Sequence, residues 1–108
     1  MVNARKKGRN AEKAFAKMME DAGWFVILTP PPKKYNQFND YFHLYDAICF
    51  KGKYRKYVQI KCNQKPYGKV KQQFVDWGLE YANEYDSVEW WNKKDREGWF
   101  SYILFPVE

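Results

Sequence analysis

Apolar residues recur at helical spacing in two stretches of the chain. The first follows Asn10, a residue type that caps helix N-termini, and ends at Gly23, which suits the turn after the last helical residue. The second covers residues 69–85. The apolar positions, three or four residues apart, are Ala11, Phe15, Met18 and Ala22 in the first stretch and Val70, Phe74, Trp77 and Tyr81 in the second. The pattern predicts two amphipathic helices, the first preceded by a flexible basic arm over residues 1–9.

Five shorter runs are rich in β-branched and aromatic residues, which is typical of strands. They are Trp24–Leu28, Leu44–Phe50, Tyr57–Cys62, Val88–Trp91 and Trp99–Phe105. A tight turn around Gly52 joins the second strand to the third, and the sequence KKDREG joins the last two. Between the first two strands, TPPPKKYNQFND forms an irregular loop because its prolines forbid regular structure. The order α-β-β-β-α-β-β predicts an α/β fold, a mixed β-sheet flanked by helices.

The turn around Gly52 decides which polar side chains of its hairpin face one another. A turn of two residues and a turn of four both pair even-numbered residues with odd-numbered ones. Asp46 then lies across from Gln59 or Lys61, which share a face because strand side chains alternate. A carboxylate, an amide oxygen and an ammonium inside an apolar sheet can together serve a divalent cation and a phosphate. An Asp46–Lys61 ion pair at a strand end is the structural alternative.

Positive charge is concentrated in one segment of the chain. The net charge is +6 at pH 7, and residues 51–71 carry eight basic side chains and no acidic one. Residues 72–108 carry three basic and eight acidic side chains. A basic block binds polyanions because each phosphate contact releases condensed counterions. Nucleic-acid binding is one interpretation of this charge, and a solvated lysine-rich surface is the other.

Length and composition are those of one compact domain. The chain has 108 residues, of which 45% are hydrophobic, enough for a core. No run approaches the roughly 20 apolar residues that span a membrane, so we expect no membrane partner and a soluble intracellular protein, cytoplasmic or nucleoid-associated. Cys49 and Cys62 lie in apolar segments without CxxC spacing, and we interpret them as buried free thiols.

Several motifs together resemble one nuclease family. D-A-I-C-F followed by V-Q-I-K, on consecutive predicted strands, resembles the signature of the PD-(D/E)XK nuclease superfamily, an acid opening one strand and an acid-x-lysine on the next. The upstream R-K-K-G-R-N-A-E resembles the start of the archaeal-type Holliday junction resolvases. G-W-F-V-I-L resembles the first strand of that family, and K-V-K-Q-Q-F-V-D-W resembles its helix after the lysine. The closing W-x-x-K…G-W-F-S-Y-I-L-F-P resembles its last two strands. The likeness covers nearly the whole chain and implies a single restriction-endonuclease-like domain over residues 1–108.

The resemblance implies a magnesium-dependent endonuclease, also served by manganese, that hydrolyses phosphodiester bonds in branched DNA. Its catalytic residues are expected to be Glu12, Asp46, Gln59 and Lys61. Glu12, Asp46 and the Gln59 oxygen would hold the metal, and Lys61 would orient the nucleophile or stabilise developing charge. The family further implies a homodimer that acts on four-way junctions in DNA recombination and repair. Without the resemblance, Glu12 is an exposed acid in the first turn of a helix.

Two positions depart from the pattern of the family. Tyr45 stands where a proline is expected before the aspartate, and Gln59 stands where an acid is expected two residues before the lysine. An amide oxygen ligates magnesium but brings no charge, so the metal affinity should fall unless Glu12 compensates. Two alternatives therefore stay open: a general or restriction-like DNA nuclease on the same fold, and a DNA-binding module that does not cleave.

Basic side chains supply the candidate DNA contacts. These are Arg5, Lys6, Lys7, Arg9, Lys33, Lys34, Lys65, Lys69 and Lys71. Four more at the hairpin tip either contact phosphates or keep a sheet edge soluble: Lys51, Lys53, Arg55 and Lys56. Secondary candidates near the site are Tyr35, Asp40, His43 and Gln73. The tryptophans either fill the core or form an exposed patch for dimerisation, the candidates for the patch being Trp77, Trp90 and Trp91.

Overall fold

The computed structural model describes residues 4–29 and 44–107. Two helices and five strands follow in the predicted order α-β-β-β-α-β-β. They are α1 (Ala4–Asp21), β1 (Phe25–Leu28), β2 (Ala47–Lys51), β3 (Tyr54–Cys62), α2 (Gly68–Tyr81), β4 (Asp86–Lys94) and β5 (Gly98–Phe105). The strands form one sheet in the order β1-β2-β3-β4-β5, parallel between β3 and β4 and antiparallel elsewhere. The α/β fold class with a mixed, helix-flanked sheet is confirmed.

Each helix covers its own face of the sheet. On β4, Val88 and Trp90 belong to a core with Phe74 of α2, whereas the intervening and following positions point the other way. Trp91 accordingly packs on the core around Phe15 of α1. We call the two sides the α1 face and the α2 face. In the described part of the chain, neither helix is long and apolar enough to cross a membrane.

The hairpin between β2 and β3 has the shorter of the two predicted turns. Lys51 pairs with Tyr54, and Gly52 adopts a φ of 60°, which glycine reaches without strain. The same register places Ala47 opposite Val58. Asp46, the residue before Ala47, therefore lies opposite Gln59, the residue after Val58.

Helix α1 begins much earlier than its sequence pattern predicts. It starts at Ala4, so the expected flexible arm is wrong for residues 4–9, and Asn10 is an exposed position inside the helix rather than its cap. Lysine and arginine are good helix formers, and the single glycine in this stretch costs only about 1 kcal/mol. Lys7 Nζ also lies 2.7 Å from Asp95 Oδ2, which ties the first turns of α1 to the end of β4.

The end of α1 agrees with the prediction from its glycine. Gly23 has a φ of 94°. Its N–H donates to the Glu20 carbonyl at 2.9 Å, and the Trp24 N–H donates to the Met19 carbonyl at 3.0 Å. These two bonds satisfy carbonyls of the last helical turn. Ala22, predicted on the apolar stripe, is exposed because the helix has already ended.

The other element boundaries shift where tertiary contacts decide them. Helix α2 ends at Tyr81, not at residue 85, because Ala82 is extended and the Asn83 N–H donates to Asp86 Oδ2 at 2.8 Å. Strand β3 begins at Tyr54, three residues earlier than predicted, because the ladder continues to the two-residue turn. Strand β4 is extended at both ends by its parallel pairing with β3.

The tryptophans fill the core rather than form a patch. Trp90 is 1% exposed. Trp77 is half-buried with its ring centroid 5.0 Å from that of Tyr45, and Trp91 is half-buried 5.3 Å from Phe15. The interpretation of these three residues as an exposed dimerisation patch is therefore wrong, since a sheet covered on both faces needs bulky side chains on each.

Both cysteines are free thiols, as expected. Cys49 is fully buried, and burial raises its pKa to about 12. Cys62 is half-buried near the end of β3. A buried thiol with a raised pKa is a poor nucleophile, so Cys49 serves as a small core residue.

Candidate functional site

A cavity of about 400 Å³ lies where the start of α1 passes the ends of β2 and β3. It brings together three of the four residues that the sequence marks as catalytic, Glu12, Asp46 and Lys61. The remaining lining residues are Lys7, Gly8, Ala11, Ile60, Cys62 and Asn63. We call this the main cavity. Glu12 comes from α1, Lys61 from β3 and Asp46 from the bend before β2, so three elements build it.

Asp46 is held at a kink in the chain. Tyr45 lies in the core of the α2 face and Ala47 in the core of the α1 face, whereas a regular strand would point both to one side. The backbone at Asp46 is fixed on both sides, because its N–H donates to the Val58 carbonyl and its carbonyl accepts from Thr29, each at 2.9 Å. Its Oδ2 accepts from the Ile60 N–H at 3.0 Å. The backbone N–H of Ile60 therefore helps to position the carboxylate.

Gln59 lies beside Asp46 and is not among the residues that line the main cavity. With the amide nitrogen turned toward them, Gln59 Nε2 donates to the Leu44 carbonyl at 2.5 Å and to Asp46 Oδ2 at 3.1 Å. A half-turn of the amide presents Oε1 at the same position instead, because the two ends of the group have nearly the same shape. The side chain can thus stabilise Asp46 as a donor or face a cation as an acceptor.

Glu12 has a cationic partner within its own helix. Arg9 Nη1 lies 2.9 Å from Glu12 Oε1 and also donates to the Thr29 carbonyl at 2.9 Å. Glu12 is 19% exposed, and Thr29 is buried. Arg9, expected among the DNA contacts, therefore joins the candidate metal-site acid to the end of β1. The spacing of three residues on a helix is the sequence signal for this pair.

Lys61 faces the main cavity without forming the ion pair that was the structural alternative. No salt bridge joins it to Asp46, and no described group accepts a hydrogen bond from its Nζ. Its partner on the neighbouring strand β4 is Asn92, which lies on the α2 face. The ammonium is thus available to a ligand in the cavity.

The donor set of the main cavity fits a weakly held magnesium ion. Glu12 and Asp46 are its only carboxylates, and in residues 4–29 and 44–107 no three His, Cys, Asp or Glu side chains form a metal-binding group. Magnesium is commonly bound by one or two carboxylates while it keeps several waters and contacts a substrate phosphate. The Gln59 oxygen would complete the protein ligands without adding charge.

One cation in the lining of the main cavity, Lys7, contacts the turn between β4 and β5. Lys7 pairs with Asp95, and the Asn63 Nδ2 donates to the same Asp95 oxygen at 3.0 Å. The hydrogen bond to Asp95 raises the pKa of Lys7, and the bonds from Lys7 and Asn63 lower the pKa of Asp95. The pair is exposed, so a phosphate can compete for Lys7 at little cost.

The other candidate DNA contacts are spread around this end of the molecule. Lys6 and Lys93 line a neighbouring cavity over α1, and Lys65 lines another beside β5. Lys69, Lys71 and Gln73 are exposed on α2, outside the lining of the main cavity. Outside the described residues lie Lys33, Lys34, Tyr35, Asp40 and His43, and also the side chain of Arg5.

The basic residues of the hairpin tip all have partners within the chain. Lys51 Nζ donates to the Ala22 carbonyl at 2.8 Å. Two cations lie over aromatic rings, Lys53 at 4.2 Å from the Tyr85 centroid and Arg55 at 4.8 Å from that of Phe50. These contacts give the tip a structural role that neither of the two sequence interpretations includes.

Glu89 is a buried charge that the sequence analysis missed. It is 2% exposed on the α1 face. Its Oε2 lies 2.7 Å from Lys56 Nζ and 2.5 Å from the Ser87 hydroxyl, and Oε1 accepts from Trp91 Nε1 at 2.8 Å. The sequence signal for it is a single acidic residue inside the apolar run of β4. A charged side chain is costly to bury unless it is paired.

The fold of the chain is that of a solved Holliday junction resolvase. Archaeoglobus fulgidus Hjc, described as a Holliday junction resolvase from an archaeal hyperthermophile, superposes with a TM-score of 0.63 at 15% sequence identity. The alignment covers 94% of this chain and 76% of that one. No protein-family model and no curated protein sequence matches the chain. The similarity in structure therefore shows a shared fold and no more.

Proposed function

We propose that this protein is a magnesium-dependent, structure-selective DNA endonuclease that cuts four-way or other branched DNA. The observation that carries the proposal is the convergence of Glu12, Asp46 and Lys61 in one cavity. That cavity lies on a fold shared with a Holliday junction resolvase. Basic side chains on several sides of it suit the phosphates of a branched substrate.

In this mechanism the protein supplies ligands, orientation and charge. Glu12, Asp46 and the Gln59 oxygen would hold magnesium, which would polarise the scissile phosphate and lower the pKa of the attacking water. The Ile60 N–H keeps the Asp46 carboxylate in place. Lys61 orients the water or stabilises the charge that develops on the phosphate oxygens. Lys7 and Lys65 position the DNA backbone on either side.

The test is cleavage of a labelled four-way junction and of a linear duplex with the same arms, each in magnesium and in chelator. We expect paired symmetric cuts on the junction in magnesium only. Asp46→Asn and Lys61→Gln should each lower the rate by at least about 100-fold. Lys17→Gln, at an exposed position on α1, is the matched control and should leave the rate unchanged. Cleavage that survives both site variants would show that the main cavity is not the active site.

A second candidate function follows from Gln59 and the two-carboxylate site. A protein with this fold that binds branched DNA but does not cleave it would need no strong metal ligand at position 59. Tight junction binding with no cut in magnesium or manganese would support that function. Equal cleavage of junction and duplex would instead indicate a general nuclease on the same fold.

A further inference from the structure

A second cavity, of about 370 Å³, lies beside the main cavity between the loop after β3 and the edge strand β5. We call it the side cavity. Asn63 lines both cavities, so the two adjoin. The rest of its lining is Lys65, Asn92, Lys94, Phe100 and Tyr102. Of these residues only Lys65 has a role in the mechanism proposed above, whereas the second ammonium group, the Asn92 amide and the two aromatic rings have none.

The two aromatic rings of the side cavity differ from the other large rings near the sheet. Phe100 is 42% exposed, and Tyr102 is half-buried. Neither ring contacts another aromatic ring in the described part of the chain, whereas Trp91 and Trp99 contact each other and Phe15. Phe100 is therefore open to a planar ligand, whereas Tyr102 packs partly against the core of the α2 face and presents the rest of its surface to the cavity.

A nearly buried amide forms the floor between these rings and Lys61. Asn92 is 5% exposed, and its Oδ1 accepts from the Gln64 N–H at 2.9 Å. No described group accepts from its Nδ2, so this donor is the polar atom that Asn92 offers the cavity. This nitrogen keeps contact with solvent, so it can donate to an acceptor of a ligand in place of water.

The pairing of strands fixes the distance from this cavity to the active site. Lys61 is the partner of Asn92, and Asn92 is the partner of Phe100, so the three residues form one row across the α2 face. Two strand spacings, about 10 Å, separate the backbone of Lys61 from that of Phe100. A ligand in the side cavity is thus close to the phosphate that Lys61 would contact.

We propose that the side cavity binds one unpaired nucleotide of a DNA strand whose neighbouring phosphate occupies the main cavity. The base stacks on Phe100 or Tyr102, and Asn92 Nδ2 donates to an acceptor on the base edge. Lys65 and Lys94 contact the flanking phosphates. Lys94 is also paired with Glu97, but that pair is half-exposed and exchanges easily for a phosphate. A base within a stacked duplex offers no free face, so the site selects unpaired DNA.

This inference rests on the proposed function, and its test separates the two. Binding of a short labelled oligothymidine is measured by fluorescence anisotropy in chelator, where no cleavage occurs. Phe100→Leu should weaken binding about 5- to 100-fold, and Phe100→Trp should restore it. Phe25→Leu, the same change on the edge strand at the other side of the sheet, should have no effect. Tyr102→Leu provides a second variant if Phe100→Leu proves unstable in a thermal melt.

An abasic oligonucleotide of equal length distinguishes stacking from phosphate contacts. The wild-type protein and Phe100→Leu should bind it equally, because it keeps the phosphates and lacks the bases. Equal affinity of wild type and both leucine variants for oligothymidine would overturn the inference, as would the same loss on the abasic strand. The cleavage rates of Asp46→Asn and Lys61→Gln test only the active site. If these variants cleave like the wild type, the proposed function is contradicted, but the binding result for the side cavity still stands.

Discussion

The amide of Gln59 occupies the position where the charge balance of the candidate site is decided. It lies against Asp46 Oδ2, so the choice of an amide or an acid at position 59 determines the electrostatic repulsion on this carboxylate. As an amide it can donate to Asp46 and stabilise the site without metal. An acid at the same position would repel Asp46 until a cation bridged the two.

Gln59→Glu is therefore expected to lower the thermal stability in chelator and to raise the affinity for magnesium. In chelator the variant should melt below the wild type, and magnesium should remove most of that difference. The magnesium concentration for half-maximal cleavage should fall about tenfold, equivalent to about 1.4 kcal/mol. Differential scanning fluorimetry across a magnesium titration measures the first effect. Gln73→Glu, the same change on the exposed surface of α2, is the control, and an equal response of both variants would contradict the expectation.

Arg9 stabilises the opposite side of the site through two contacts of one nitrogen. It links Glu12 to the carbonyl of Thr29, the residue after β1, so its removal should leave both of these groups without that partner. We expect Arg9→Gln to lower the free energy of unfolding by about 1–2 kcal/mol and Glu12→Gln by about 0.5–1 kcal/mol. The double variant should lose less than the sum, since both changes remove one ion pair. Urea denaturation of all four proteins measures the coupling, and strict additivity would show that the pair contributes nothing.

At the scale of elements, the central strands are joined by a buried ion pair. Lys56 of β3 and Glu89 of β4 lie on the α1 face of the sheet, and Glu89 has two further donors in Ser87 and Trp91. Removing the cation leaves an uncompensated charge in the core, which costs more than removing the whole pair. The intact pair therefore adds little net stability, whereas the loss of its cation alone is costly.

Lys56→Met is expected to lower the free energy of unfolding by about 3 kcal/mol. Lys56→Met combined with Glu89→Leu should recover most of that loss, because no charge then remains buried. Glu89→Gln alone should cost less than Lys56→Met, since the amide can keep a hydrogen bond to Ser87 or Trp91. Urea denaturation checks the order of the three. A loss for Lys56→Met no larger than for Lys17→Met, at an exposed site, would contradict the role of the pair.

Local pattern explains which boundaries of the elements could be predicted. The two-residue turn at Gly52 and the strand period of two suffice to bring Asp46 to Gln59, because both are local rules. The start of α1 could not be predicted, since its first turns are held by Asp95, far along the chain. Glu89 was missed for the same reason: its partner Lys56 lies on another strand and is separated from it by α2.

At the scale of the whole molecule, the order of elements was predictable but the assembly of the site was only partly so. Alternation of helical and strand periods predicted the α/β sheet, and the hairpin predicted the neighbours of Asp46. The contribution of Glu12 came from family resemblance alone, because no local rule packs α1 beside the end of β3. The side cavity was not predicted at all, since it depends on the pairing of β3, β4 and β5.

Symmetric cutting of a four-way junction requires two active sites, and each chain of 13.1 kDa offers one main cavity. We therefore expect a homodimer, with a mass close to twice that of the chain by light scattering. A supercoiled plasmid with an extruded cruciform tests whether the two sites act together. A dimer should convert it directly to the linear form, because both strands are cut before dissociation. Accumulation of nicked circles as the main product would show that the chains act singly, whatever their mass in solution.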